Sequence, residues 1–290
     1  MTAALWAVAS GVGFGLFQSL NRRALVDIGD AYVSTFLNLA IATVALLAVA
    51  LATEDVGRLL DADAWTLAAF AGAGIVHFLL GWTFLNLSQR RIGASRTSPL
   101  LTMTPLFALA TAAITVGQFP GPAALVAIAP MVVGAYLVAG GGQEARGADA
   151  LPGLACALMW SLSPVLTLKG LDGLDSPLLG VTLGMVASVA AYALFLIGRG
   201  RQLGATAIGR DALGFKIAAG LLVGFATWWR WLAIDGADVA VVLALALVSV
   251  PIVLFLSPLL VGRHLERVTR RVWFGAALVV AGALTLIAVG

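Results

Sequence analysis

The chain has a single cysteine, Cys156, set inside an apolar run, so an internal disulfide is excluded. Only two histidines are present, His77 and His264, which rules out His-rich metal sites. Charged residues fill 11% of 290 positions, and no acid falls near the centre of any long apolar run. A carrier of hydrophobic cations would be expected to bury a carboxylate as the cation's partner, so this absence favours neutral, zwitterionic or anionic solutes. The first twenty residues lack a basic leader and are read as a span, not as a cleaved signal. Neither a Ser/His/Asp set nor paired carboxylates occur at mid-membrane positions, so no enzyme, cofactor or metal is expected. A membrane-embedded transferase is the one enzymatic alternative, and it would have to work from Arg263, His264 and Glu266 in a short loop.

What remains is apolar. Hydrophobic residues make up 61% of the chain and mean hydropathy is +1.03, more than one soluble core hides, which implies an all-α integral membrane protein. Taking about 20 apolar residues as one crossing, ten transmembrane helices are expected: residues 3–20, 31–52, 64–87, 97–116, 122–140, 151–168, 177–197, 213–232, 239–261 and 272–289. The formal charge of +3 is scattered over short gaps and forms no basic stripe, which argues against a nucleic-acid partner. The partners expected are the lipid bilayer and a small-molecule metabolite.

Gly93 to Pro105 breaks the apolar monotony with an arginine, five hydroxyl residues and two prolines. Prolines cannot donate to the helical ladder, so carbonyls a turn earlier lose their partners. In lipid that loss is tolerated only where protein or a water-filled cavity supplies replacements. This stretch is therefore expected to line a cavity, with Arg96 and Ser98 at its opening and a bend at Pro105. Sliding the second half onto the first by 146 residues lays Gly15 on Ser161, Arg23 on Lys169 and Pro105 on Pro251. The overlay implies two five-helix repeats, 1–145 and 146–290, and an odd number of crossings per repeat inserts them with opposite orientation. Fourteen of the seventeen basic residues fall on one side of this arrangement, and only Arg58, Lys169 and Arg230 on the other. By the positive-inside rule the rich side is cytoplasmic and both termini are non-cytoplasmic.

Ten spans in two inverted halves, the Gly-Ala-Ser-Arg and Thr-Pro-Leu-Phe-Ala segments of span four, and a Gly-rich closing span in each half resemble the EamA-type branch of the drug/metabolite transporter superfamily. The resemblance covers essentially the whole chain. It implies a basket of helices round a central cavity, lined by the first four spans of each half, and export from the cell across the plasma or inner membrane. The family commonly carries Leu-Gly-Glu after the fourth span of each half; the matching positions here read Val116-Gly117-Gln118 and Val261-Gly262-Arg263, without the acid. Many relatives are described with cytoplasmic termini, against the charge count here.

Polar groups at membrane depth are the candidate site. His77 lies near the middle of span three, where an imidazole can bond a neighbouring helix or take part in transport coupled to protons. Arg230 stands among Trp228, Trp229 and Trp231, a setting that suits cation–π contact and an anionic substrate group, and equally a membrane-interface anchor. Gln18 and Asn21 near the end of span one correspond to Ser161 in span six, and such groups either glue helices together or hold a polar ligand. Trp82 and Trp160 serve either as ligand platforms or as interface belts. Arg22 is read as a snorkelling helix-end anchor. The function expected is secondary transport of a small polar metabolite, such as an amino acid or organic acid, by alternating access, driven by a proton or substrate gradient, with Arg96, Pro105 and Pro251 as hinge and gate. The alternative within membrane transport is a flippase for a lipid-linked or amphiphilic substrate.

Overall fold

The computed structural model describes residues 3–116, 122–139, 147–198, 208–237 and 239–289, and among these every regular element is helical. Helix α1 (Ala3–Ile28) turns at Gly29 into α2 (Ala31–Thr53), whose first amides, at Tyr32 and Val33, are capped by Asp30. A short α3 (Arg58–Asp61) precedes α4 (Ala64–Gly74). Asp63 caps α4 through the Thr66 amide, and that hydrogen bond holds its carboxyl below the usual aspartate range. Helix α4 runs through a π-helical segment, Ile75–Gly81, into α5 (Trp82–Ile92). Then come α6 (Ala94–Leu101), α7 (Thr104–Val116) and α8 (Pro122–Val138). The second half holds α9 (Leu151–Gly173), α10 (Pro177–Gly198), α11 (Arg210–Gly236), α12 (Val239–Ala246), α13 (Ser249–Val261) and α14 (Arg270–Val289).

Seven stretches are long and apolar enough to cross a membrane: α1, α2, α4 with α5, α9, α10, α11 and residues 241–261. Helices α6 and α7, α8 and α14 are not among them, so seven of the ten expected spans meet that test among the described residues. The expected repeat boundary, between residues 145 and 146, lies outside the described residues, as do Gly117 and Gln118.

The outer surface is what a bilayer demands. Leu259, Leu194 and Val44 expose 73%, 70% and 69% of their area, costly in water and the ordinary exterior in lipid. Inside, Phe14, Phe17, Phe70, Phe78, Trp82 and Trp231 join α1, α4, α5 and α11 in one core. A smaller core of Met103, Met131 and Val279 ties α8 and α14 to the break between α6 and α7. Helix α1 packs most extensively on α11 and α13, α9 on α4, α5 and the π-helical segment, α2 on α11 and α10, and α8 on α14.

Both proline-bearing stretches are broken, and the breaks lie ahead of the prolines. The first falls at Thr102 and Met103, the second at Leu247 and Val248, so Pro105 and Pro251 sit in the first turns of α7 and α13. Proline is tolerated there because its missing amide is an orphan in any case. The carbonyl of Leu101, which residue 105 would have served, accepts instead from Thr104 Oγ1 at 2.6 Å, and Thr102 Oγ1 donates to Pro99 O at 2.7 Å. The carbonyl of Leu247 accepts from the Val250 amide at 3.0 Å.

Candidate functional site

Where α1, α6, α9, α11 and the two breaks converge lies a cavity of about 50 Å³. Its wall includes Phe14, Gln18, Ser98, Pro105, Trp160 and Arg230. Pockets for drug-sized ligands run to about 300–1,000 Å³, so this cavity is small beside them. Four of its polar atoms are buried without a hydrogen-bond partner: Gln18 Oε1, Ser98 Oγ, Trp160 Nε1 and Arg230 Nε. Trp160 Nε1 lies against Gly81, where a Cβ would fall 2.6 Å from it. Buried polar groups are nearly always paired, so the unserved groups of Gln18, Ser98 and Arg230 on one cavity wall mark a place where a polar ligand could complete them.

Arg230 dominates the electrostatics. Its guanidinium lies 4.4 Å from the centre of the Phe14 ring and 5.8 Å from that of Trp160, and no carboxylate among the described residues pairs with it. Aromatic faces hold a cation without neutralising it, so the charge stays available to an anion. Behind Trp160 stands His77, stacked at 5.2 Å with an interplanar angle of 8°, its Nδ1 2.8 Å from Ser163 Oγ. His77 is carried by the π-helical segment, an irregularity found mostly at functional sites.

The other sequence candidates lie elsewhere. Trp82 is fully buried, packed against Phe17 and Phe78 and away from the cavity wall. Trp228 packs on Phe225, and Ser161 Oγ donates to Leu158 O within its own helix. Arg96 lines a separate basic cavity, and Pro251 is exposed. Asn21 belongs to a buried network: its Nδ2 donates to Asn86 Oδ1 at 3.1 Å and Gln89 Oε1 at 2.7 Å, and its Oδ1 accepts from Asn38 Nδ2 at 2.8 Å.

Two groups were missed by sequence reasoning. Lys216, counted only as a basic residue near a helix end, is fully buried, and its Nζ donates to Asn21 Oδ1 and Ser34 Oγ. The available signal was its position, two turns inside an apolar helix, matched by Asn21 and Asn38 in other apolar helices. Glu266, placed in a loop, is buried and paired at 2.8 Å with Arg22 Nε. That pair corrects the snorkelling reading of Arg22: a buried carboxylate draws the guanidinium inward, where a lone side chain would have reached for water.

Apolar helices of membrane-crossing length, packed round a buried space with unserved polar walls, define a multi-pass membrane protein with an internal polar site. Residues 1–140 match the family model of the EamA-like transporter family, within the drug/metabolite transporter superfamily, whose members are membrane transporters. A solved crystal structure is similar with a TM-score of 0.64 and 19% identity, covering 96% of this chain and 97% of that one. At that identity the likeness bears on the fold alone. No curated protein matches the chain.

Proposed function

We propose that the protein is a secondary transporter, an exporter in the plasma or inner membrane, that moves a small carboxylate-bearing metabolite by alternating access. The observation that carries this reading is the polar set on the wall of the central cavity: Arg230 and Ser98, whose Nε and Oγ are unserved donors, with Gln18, whose Oε1 is an unserved acceptor. Two donors and one acceptor suit an organic acid, or an amino acid whose ammonium meets the glutamine oxygen.

Two inverted five-helix repeats account for the packing. Exchanging the halves turns α1 against α11 into α9 against α4 and α5, and turns α2 against α11 into α10 against α4; α2 with α10 and α8 with α14 exchange into themselves. The breaks at Thr102 and Leu247 obey the same exchange, one in each half, and both line the cavity. Rocking of the halves about these breaks would widen the cavity toward one face at a time. Ten crossings, with the arginine-rich face cytoplasmic, put both termini outside. A C-terminal reporter that is active only in the cytoplasm is expected to stay silent; a strong signal would reverse the orientation.

The flippase reading has one observation of its own, a groove of about 510 Å³ between α13 and α14, walled by the exposed Phe255 and Leu259 and ending at Arg263 and Arg267. Reconstituted vesicles loaded with labelled amino acids, organic acids and sugars separate the two. Net flux of a carboxylate solute is the expected result, whereas lipid scrambling without solute flux would replace the transporter by a flippase, and covalent product would make it an enzyme.

A further inference from the structure

The loop between α13 and α14 belongs to the second half of the chain, yet its Glu266 reaches into the first. The carboxylate accepts from Arg22 Nε at 2.8 Å, from the Ala94 amide at 2.9 Å and from the Ser95 amide at 3.0 Å. It thereby serves the free amides at the start of α6 and the only guanidinium in the cluster that is buried. Gly93 is required beside it twice over. Its φ of +82° is left-handed, and a Cβ there would fall 2.7 Å from both carboxylate oxygens.

A second feature points to a ligand larger than this side chain. Ser95 Oγ, at the same helix end, is buried without a partner, and it lines a cavity of about 380 Å³ with Arg22, Arg90, Arg91, Arg96 and His264. Around that cavity one carboxylate, Glu266, meets five guanidiniums, the fifth from Arg267. Helix α6 lines both this cavity and the central one. Ser95 faces the basic cavity and Ser98 the central cavity, three residues apart on α6, a rise of about 4.5 Å.

We infer that Arg22 and the amino end of α6 form a carboxylate-binding site at the arginine-rich mouth, occupied in this conformation by the protein's own Glu266. A solute carboxylate takes over these donors, releases the α13–α14 loop, and passes one turn along α6 to the central cavity. The inference rests on the proposed transport of carboxylates for its second half; the site itself stands on geometry. Because Glu266 joins the two halves on this face, its displacement opens the mouth.

Thermal unfolding of the purified protein tests the site without any flux measurement. Glu266→Ala is expected to unfold several degrees lower, and sodium formate to restore much of the loss in a saturable way, compared with sodium chloride at equal ionic strength. The Glu266→Ala, Arg22→Ala double variant should gain nothing from formate. Equal effects of formate on the single and double variants, or none on either, would overturn the site. Displacement is tested with Glu266 in place, in a Ser95→Cys, Cys156→Ser protein that has one cysteine, at the buried helix end. Maleimide labelling is expected to quicken severalfold as formate rises; an unchanged or slower rate would mean that Glu266 is a fixed brace. Rescue and faster labelling together with vesicles that move no carboxylate would leave the site intact and remove the transport reading.

Discussion

Gly74→Ala is expected to cost the protein most of its folded yield, although alanine is the better helix former by about 1 kcal/mol. Helices α4 and α10 cross at Gly74 and Gly184. A methyl group on Gly74 would fall 2.1 Å from the Gly184 carbonyl oxygen, 2.4 Å from its carbon and 2.5 Å from its Cα. All three are backbone atoms, so no rotamer change relieves the clash and the helices must separate. Overpacking of a core costs about 1–3 kcal/mol where side chains can adjust, and here none can. The displacement would also reach the site, because Gly74 immediately precedes the π-helical segment that carries His77 to Trp160. The control is Gly72→Ala in the same helix, whose new methyl group would meet only Leu166 Cδ1 at 3.4 Å. Size-exclusion profiles and thermal melts in detergent should show Gly72→Ala near the parent and Gly74→Ala aggregated or melting many degrees lower. Equal behaviour of the two would show that the crossing is looser than described.

Such crossings were partly legible in the sequence. The pairs Gly180 with Gly184 and Gly220 with Gly224 announce close helix approach, and the structure sets them against Phe70, Ile41 and Ala42 of other helices. The apolar runs likewise gave the helices, and the prolines located the breaks to within a turn. What failed was the facing of side chains. In a soluble helix an apolar stripe tells which side turns inward; here lipid and core are both apolar, and the stripe is lost. Trp82 and Trp160 therefore read alike, although one is sealed in the core and the other walls the cavity. The pairings of Lys216 and Glu266 were illegible for a related reason. Each is explained by partners far away in the chain, Asn21 and Ser34 for the lysine, Arg22 and the amides of α6 for the glutamate. No local spacing encodes those pairings.

The largest functional effect is expected at Arg230. Truncation to alanine removes the one guanidinium at the central cavity, and hydrogen bonds to a charged group contribute about 1.5–3 kcal/mol. At about 1.4 kcal/mol per tenfold, carboxylate flux through Arg230→Ala should fall roughly tenfold to a hundredfold. Arg230→Lys keeps the charge but loses the planar face that lies over Phe14 and Trp160, so its flux should fall between parent and alanine. The fold should survive both changes. Arg230 has no carboxylate partner among the described residues, so its removal strands no opposite charge there, and relief from burying a cation should make Arg230→Ala at least as heat-stable as the parent. That opposition, lower flux with undiminished stability, separates a ligand-binding arginine from a membrane-interface anchor, whose loss would lower stability and leave transport intact. Undiminished carboxylate flux in Arg230→Ala would remove the central cavity's donor set from the mechanism, and the basic mouth would then have to supply the recognition of the anion.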